Sequence, residues 1–181
     1  MRSCRVIGLI AALLSWICID AGTETSAQII SAQRDGGFAI AGRRVRCGNA
    51  NGALDPRLPN LGVAMPDAGL VVLNPTLLGR QPQVVRLFVF YHECGHHHVG
   101  ASELGADCWA VGQGVRQGWL DSGGLRQVCR SFRNAPATAS HPSGSDRCAN
   151  VERCLASAIA GRGQRAPAKA AVASEPARAL E

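Results

Sequence analysis

Short apolar runs separated by turn-forming residues fill the chain from residue 38 to residue 75. Three such runs predict β-strands: residues 38–40, 43–47 and 70–73. The first two flank a predicted turn at Gly42, and the third stops at Asn74-Pro75. Residues 48–69 are rich in Gly, Asn, Asp and Pro, and they predict a loop.

The next apolar run, "QVVRLFVFYHECGHHHVG", predicts a helix. Residues 84–90 alone would also suit a buried strand, but the whole run from residue 82 to residue 98 is too long for one. Pro82 suits a first helical turn and Gly100 suits a helix end. Four positions recur at helical spacing: Val85, Val89, His92 and His96. We therefore expect a helix that is buried over most of its length.

Three further helices are predicted at residues 103–117, 125–132 and 147–159. Ser102 can cap the first of them, and Gly123-Gly124 precedes the second. Residues 134–144 are rich in Pro, Ala and Ser, which predicts a loop. The pattern as a whole indicates an α+β fold: a small, mostly helical domain with a short N-terminal β-sheet.

Residues 1–27 have the three-part layout of an export signal. A basic start is followed by an apolar run at 6–19 and by small and polar residues up to Ala27. The apolar run is short for a bilayer span, so a permanent anchor is the weaker alternative. A lipoprotein signal is disfavoured because Ile17, rather than a small residue, precedes Cys18. We expect a periplasmic or secreted protein without stable membrane insertion once the signal is cleaved.

The mature chain is predicted to be one domain at residues 28–159, followed by a disordered tail at 160–181 that is rich in Ala, Pro and charge. The formal net charge is +6, and Lys169 is the only lysine. The arginines are scattered without interleaved aromatic residues, which argues against a nucleic-acid partner. Nothing in the pattern specifies an oligomeric state.

Six cysteines remain after the predicted cleavage: Cys47, Cys94, Cys108, Cys129, Cys148 and Cys154. An even number in an exported chain predicts disulfide bonds, although sequence alone does not separate the possible pairings. Cys148 and Cys154 could close a short loop, so they are the one pair suggested. A cysteine metal site is the alternative, but the chain has no CxxC pair to support it.

The segment "HECGH", residues 92–96, is an HExxH motif. On a helix His92 and His96 lie one turn apart on one face, so both imidazoles can bind one ion, with Glu93 beside them. Cys94 faces away from that side and is expected to be a core or disulfide residue. The alternative is a coincidental histidine pair on a surface helix, which the apolar context disfavours.

A catalytic zinc ion usually takes three protein ligands, and Glu103 is the predicted third one. It lies in the first turn of the next helix, after the turn at Gly100. Asp107 follows one turn later, where its carboxylate could orient an imidazole. The alternative for Glu103 is an acid that only stabilises the start of its helix, and the alternative for Asp107 is a charge exposed to solvent. His98 or His141 would replace Glu103 if the chain did not fold back, and His97 and His98 otherwise face away from the site.

Three segments together, "HECGH", "SELGAD" and "SHPSGSDR", resemble the gluzincin zinc metallopeptidases, in particular the CAAX-prenyl-protease and HtpX-like family and its periplasmic bacterial relatives. That family takes its third ligand from an ExxAD segment, matched here by residues 103–107. Its later His-Pro and arginine are matched by His141-Pro142 and Arg147. "LVVLNPTLL" is similar to its edge strand beside the substrate cleft. The spacing between the second histidine and the glutamate is shorter here, as in the glycine turn of metzincins.

The resemblance implies one zinc ion held by His92, His96 and Glu103. It implies a peptide or protein substrate whose scissile carbonyl the ion polarises, with Glu93 as the general base. His141 would support the oxyanion or guard the metal, and Arg147 would anchor its loop. An extended peptide would pair with the strand at 70–73, unless that strand is buried in the core.

Two other function classes compete with this zinc endopeptidase. A non-catalytic, disulfide-stabilised binding protein would have a closed site of four ligands, with His141 or His98 on the ion. An interaction module without metal would require both the HExxH motif and the acids after it to be accidental.

Overall fold

The computed structural model describes residues 30–133 and 135–165, with the side chains of 163–165 excluded. Its strands in these residues are β1 Ile30–Ala32, β2 Phe38–Ile40, β3 Arg43–Val45, β4 Asn51–Leu54, β5 Gly62–Met65 and β6 Leu70–Leu73. Its α-helices are α1 Pro75–Gly79, α2 Gln83–Val99, α3 Glu103–Gln117, α4 Ser122–Phe132 and α5 Gly144–Arg165. The predicted α+β class is confirmed.

The strands form two small sheets. In the first, β1, β2 and β3 are antiparallel neighbours. In the second, β6 lies in the centre, parallel to β4 and antiparallel to β5. Of the two interpretations of residues 70–73, the edge strand is therefore wrong and the core strand is confirmed. The prediction of a loop at residues 48–69 is wrong for β4 and β5, the two partners of β6. These strands have only four residues each, and the glycine and proline residues in and around them are typical of loops.

Helix α2 occupies the centre of the core and packs against α3, α4 and both sheets. Its fully buried residues include Phe88 and Phe90, and the Phe90 ring packs edge-on against Phe38 of β2. Observed and predicted ends of α2 differ by one residue, and α3 has the predicted bounds. Helical spacing with a clear start signal, Pro82 for α2 and Ser102 for α3, therefore predicted both helices.

Helices α2 and α3 cross closely at Gly95, the fourth residue of the HExxH motif. A Cβ atom at Gly95 would lie 2.9 Å from the Cα of Ala106, so no larger side chain fits at this crossing. The turn between the helices uses Gly100 at a φ of 68°, and Ser102 Oγ caps α3 by accepting from the amide of Gly105 at 3.1 Å. This tight return places the start of α3 beside the end of α2.

Three disulfide bonds join Cys47 to Cys94, Cys108 to Cys154 and Cys129 to Cys148. The expectation of bridges is confirmed, but the pairing of Cys148 with Cys154 is wrong. Both lie on α5, where six residues of helical rise separate them by about 9 Å, too far for a disulfide. Bonds of this kind are typical of proteins from oxidising compartments.

The ends of the elements differ from prediction mainly in the C-terminal half. Helix α4 begins three residues early because Asp121 caps it, and α5 runs from Gly144 to Arg165. Helix α5 thus continues into the stretch predicted to be disordered. The predicted signal at 1–27 and the remainder of the tail, 166–181, lie outside the described residues. In the described part, no helix combines the length and apolar character needed to cross a membrane.

Candidate metal centre

The two histidines of the HExxH motif face each other at the C-terminal end of α2. Their Nε2 atoms are 3.2 Å apart, and the rings meet edge to face. His92 is buried and His96 is nearly so. Helical spacing alone produces this pairing, because positions four apart lie above one another on one face.

Glu103 reaches the same point from the first turn of α3. Its Oε2 atom lies 3.3 Å from Nε2 of His92, and its Oε1 atom lies 3.5 Å from Nε2 of His96. The three residues form a group whose donor atoms all lie within 4.8 Å of one another, as required to hold a metal ion. The structure thus brings together the three residues that the sequence singled out.

Backbone and carboxylate groups fix the tautomer of both imidazoles. His96 Nδ1 lies 2.8 Å from the carbonyl oxygen of Gly100, and His92 Nδ1 lies 2.9 Å from Oδ1 of Asp107. Both acceptors require the Nδ1 atom to donate, which leaves the Nε2 lone pairs directed at each other and at Glu103. Such an arrangement of lone pairs is stable only with a positive charge between them, either a proton or a metal ion.

The donor set fits a zinc ion. Tetrahedral ligands about 2.05 Å from an ion lie about 3.3 Å from one another, which matches the observed spacings of 3.2 to 3.5 Å. In addition, Glu103 Oε2 is buried and, apart from its 3.3 Å approach to Nε2 of His92, has no hydrogen-bond partner among the described residues. A buried acceptor without a partner is costly, and a bound cation would remove that cost.

The carboxylates of the centre favour a positive charge on or between the two imidazoles. Burial lowers the pKa of His92, but the carboxylates of Asp107 and Glu103 outweigh burial and raise that pKa to about 9. Burial raises the pKa of Glu103, yet its contacts with His92 and the other histidines hold that pKa below its ordinary value. The carboxylates therefore stay ionised at neutral pH, and they attract a proton or a cation to the imidazoles.

Asp107 is held in turn by Arg147. The guanidinium group donates from Nε to Oδ2 at 2.9 Å and from an Nη atom to Oδ1 at 2.6 Å. It also lies over the ring of Phe132, 4.4 Å from the ring centre. The Asp107 side chain is fully buried, and Arg147 keeps its pKa below the ordinary value in spite of that burial. Arg147 therefore anchors the start of α5 to α3 and fixes the acceptor that orients His92.

Glu93 lies beside the three ligand candidates without joining them. It lines a cavity of about 510 Å³ whose walls include Phe88, Leu77 and Phe132. Burial raises the pKa of Glu93 above its ordinary value, although the neighbouring imidazoles oppose this shift. The side chain packs against β5, where a Cβ atom at Gly62 would lie 2.9 Å from Cγ of Glu93. Only glycine leaves room for the glutamate there.

His141 lies at the mouth of the same cavity. Its side chain is 50% exposed, and its Nε2 atom is 3.6 Å from Oε1 of Glu103. Its Nδ1 atom is 2.8 Å from Oγ of Ser140. Among the described residues, His141 is not a member of any group able to hold an ion. It is positioned to approach a molecule bound in the cavity.

The remaining candidates lie away from the centre. His97 Nε2 is 3.2 Å from the carbonyl oxygen of Leu70, and His98 stacks on Trp109 with the ring centres 4.6 Å apart. His98 also lies near Cys47 and Cys94, but their sulfur atoms are bonded to each other in a disulfide and do not offer thiolate ligands. The expectation that His97 and His98 face away from the site is confirmed.

The sequence did not single out Gly62 or the apolar residues Leu77 and Phe132. These residues come from elements far apart in the chain, and they carried no motif that could have revealed them. The Asn74-Pro75 pair, interpreted as a strand stop, was the only local signal of the short helix α1. No family model, no curated protein and no solved structure matches this chain, so the geometry of these side chains carries the functional argument.

Proposed function

We propose that this protein is an exported zinc endopeptidase of the gluzincin type. One Zn²⁺ would be held by His92, His96 and Glu103. The observation that carries the proposal is the meeting of two imidazole nitrogens, 3.2 Å apart, with the Glu103 carboxylate, whose two oxygen atoms lie 3.3 and 3.5 Å from them and include the buried Oε2. Three protein ligands are typical of catalytic zinc, whereas structural zinc usually has four.

Zinc bound at this point would supply Lewis acidity, which polarises a scissile carbonyl and lowers the pKa of water toward neutrality. Glu93 would take a proton from the attacking water at its carboxylate and deliver it to the leaving amine nitrogen. Its raised pKa supports this role, because a base closer to neutral pH returns the proton more readily. The cavity wall of Phe88 and Phe132 would keep bulk water away from the carboxylate.

His141 would act on the oxygen of the scissile carbonyl. Ser140 lies next to its Nδ1 atom, and half of the ring is exposed to the cavity mouth. A ring held in this way can turn its Nε2 atom toward a developing negative charge and donate a hydrogen bond. This role needs a solvent-accessible histidine, and exposure distinguishes His141 from the buried His92.

A peptide substrate would pair with β5. This strand is an outer member of its sheet, and its residue Gly62 lines the cavity together with Glu93. Main-chain hydrogen bonds to an edge strand fix an extended peptide with little dependence on its sequence. Strand β6, the earlier candidate, has partners on both sides and offers no such edge.

The proposal is tested by removing the metal from oxidised, purified protein. We expect about one zinc ion per chain and hydrolysis of an unstructured protein such as casein. Chelation should abolish the hydrolysis, and stoichiometric zinc should restore it. Protein that contains zinc but hydrolyses no peptide would support the non-catalytic binding protein instead.

Zinc affinity should rise with pH. In metal-free protein the pKa of His92 is about 9, so at neutral pH a proton occupies the imidazole that zinc must bind. Because one proton is displaced, the apparent affinity should increase about tenfold per pH unit below pH 9 and level off above it. Competition with a calibrated chelator between about pH 6 and about pH 8, roughly one to three units below that pKa, measures this slope. A flat profile would contradict a protonated His92.

A further inference from the structure

The side chain of Asn74 joins two segments that form one wall of the cavity. It is 2% exposed. Its Oδ1 atom accepts from the amides of Thr76 and Leu77 at 2.9 and 3.0 Å, which caps α1. Its Nδ2 atom donates to the carbonyl oxygens of Pro56 and Leu58 at 3.1 and 2.7 Å. One amide therefore uses both of its donors and both lone pairs of its oxygen.

The segment that Asn74 holds, residues 55–61, leads directly into the strand beside Glu93. The backbone amide of Asn74 also donates to the carbonyl oxygen of Leu61 at 3.0 Å. Residues 59–62 line the cavity, and Leu77, whose amide Asn74 caps, lines it from α1. At the end of this segment Gly62 faces the Glu93 side chain, whose Cγ would lie 2.9 Å from a Cβ atom at that position. The buried side chain of Asn74 thus ties this wall of the cavity together, beside the backbone hydrogen bonds that also hold it.

We propose that Asn74 is a positioning residue for the substrate cleft. This inference rests on the proposed peptidase function, and it concerns the wall that faces the substrate and Glu93. Asn74 touches neither the ligand candidates nor Glu93. It acts through residues 55–61, which it holds in place directly before β5, and through the first turn of α1. An extended peptide between β5 and α2 is then held at one distance from the Glu93 carboxylate.

The amide is required because a side chain of this size must both accept from the amides of α1 and donate to the carbonyl oxygens of residues 56 and 58. Aspartate or serine would cap α1 equally well, since capping needs only an acceptor. Neither can donate to the carbonyl oxygens of Pro56 and Leu58. Aspartate would in addition place a carboxylate oxygen about where Nδ2 now lies, 2.7 and 3.1 Å from those two carbonyl oxygens, and repel them.

The test compares Asn74→Asp with the parent and with Val115→Ala. Val115 is a buried core residue near the end of α3 that does not line the cavity, so its truncation controls for general destabilisation. For Asn74→Asp we expect unchanged zinc affinity. We expect amide hydrogen exchange in residues 56–61 to be at least about tenfold faster, with or without zinc. We expect kcat/KM for peptide hydrolysis to fall at least about tenfold, mainly through KM.

Several outcomes would overturn the inference: unchanged exchange in residues 56–61, loss of zinc in parallel with activity, or an equal fall of kcat/KM in Val115→Ala. If Asn74→Asp does not fold, Asn74→Ser keeps the cap without the added charge, and the same three measurements decide. A parent protein that hydrolyses no peptide would refute the peptidase proposal and, with it, the effect on KM. The exchange experiment would still show whether Asn74 holds the wall.

Discussion

Replacing Glu93 by glutamine should reduce peptide hydrolysis at least about a hundredfold while zinc remains bound. The amide has the same size as the carboxylate and fits against Gly62, but it cannot accept a proton at neutral pH. Zinc should stay, because Glu93 is not among the three residues whose donor atoms converge. The substitution therefore separates proton transfer from metal binding.

The measurement is kcat/KM for a peptide substrate together with the zinc content of the same preparation. Glu152→Gln is the matched control, because Glu152 is an exposed glutamate on α5 outside the cavity and should behave as the parent does. If Glu93→Gln hydrolyses peptides as fast as the parent, Glu93 is not the general base and the proposed mechanism is wrong.

Replacing Glu103 by glutamine should lower zinc affinity by more than about a hundredfold. Loss of a group that only orients a ligand costs about 10- to 100-fold in affinity, and loss of a ligand should exceed that range. The amide removes the negative charge whose oxygen atoms lie 3.3 and 3.5 Å from the two imidazoles. Activity should fall in parallel, since both depend on the same ion.

Zinc affinity is measured by competition with a chelator, and His98→Gln serves as the control. His98 is exposed, stacks on Trp109 and lies two residues after His96, so its replacement should leave the affinity unchanged. Retention of full affinity in Glu103→Gln would exclude Glu103 as a ligand. His141, with its Nε2 atom 3.6 Å from Glu103, would then be the next candidate.

The sequence predicted the helical hairpin of the candidate site well. Helix α2, the turn at Gly100, the Ser102 cap and helix α3 all follow from residues at most a few positions apart. Such local signals suffice because helical spacing alone places His92 above His96. The short turn then leaves Glu103 little choice of position.

The second sheet could not be predicted in the same way. Strands β4 and β5 are four residues each, and their apolar faces become evident only when β6 lies between them. The disulfide pairs show the same limit, because Cys47 and Cys94 are separated by 47 positions that no local pattern spans. Pairings of this kind depend on how elements pack, which the order of residues does not reveal.

Contacts around the site were likewise predictable only where the two residues are close in sequence. Asp107 was predicted from its helical distance to Glu103, and the structure places it on His92 as expected. Arg147, 40 positions from Asp107, entered the prediction only through the family resemblance, and its partner was not foreseen. Asn74 and Gly62 gave no functional signal in the sequence. Asn74 matters because it binds residues 56 and 58, and Gly62 matters because it leaves room for the Glu93 side chain.

The disulfide between Cys129 and Cys148 spans the stretch that carries His141. Residues 135–141 are exposed, so this stretch is an accessible target for proteolytic nicking. A chain cut there would remain a single covalent molecule, because this bond ties α4 to α5 across the break and the bond between Cys108 and Cys154 joins α3 to α5 as well. An internal cut would therefore leave both sides of the cavity attached to each other.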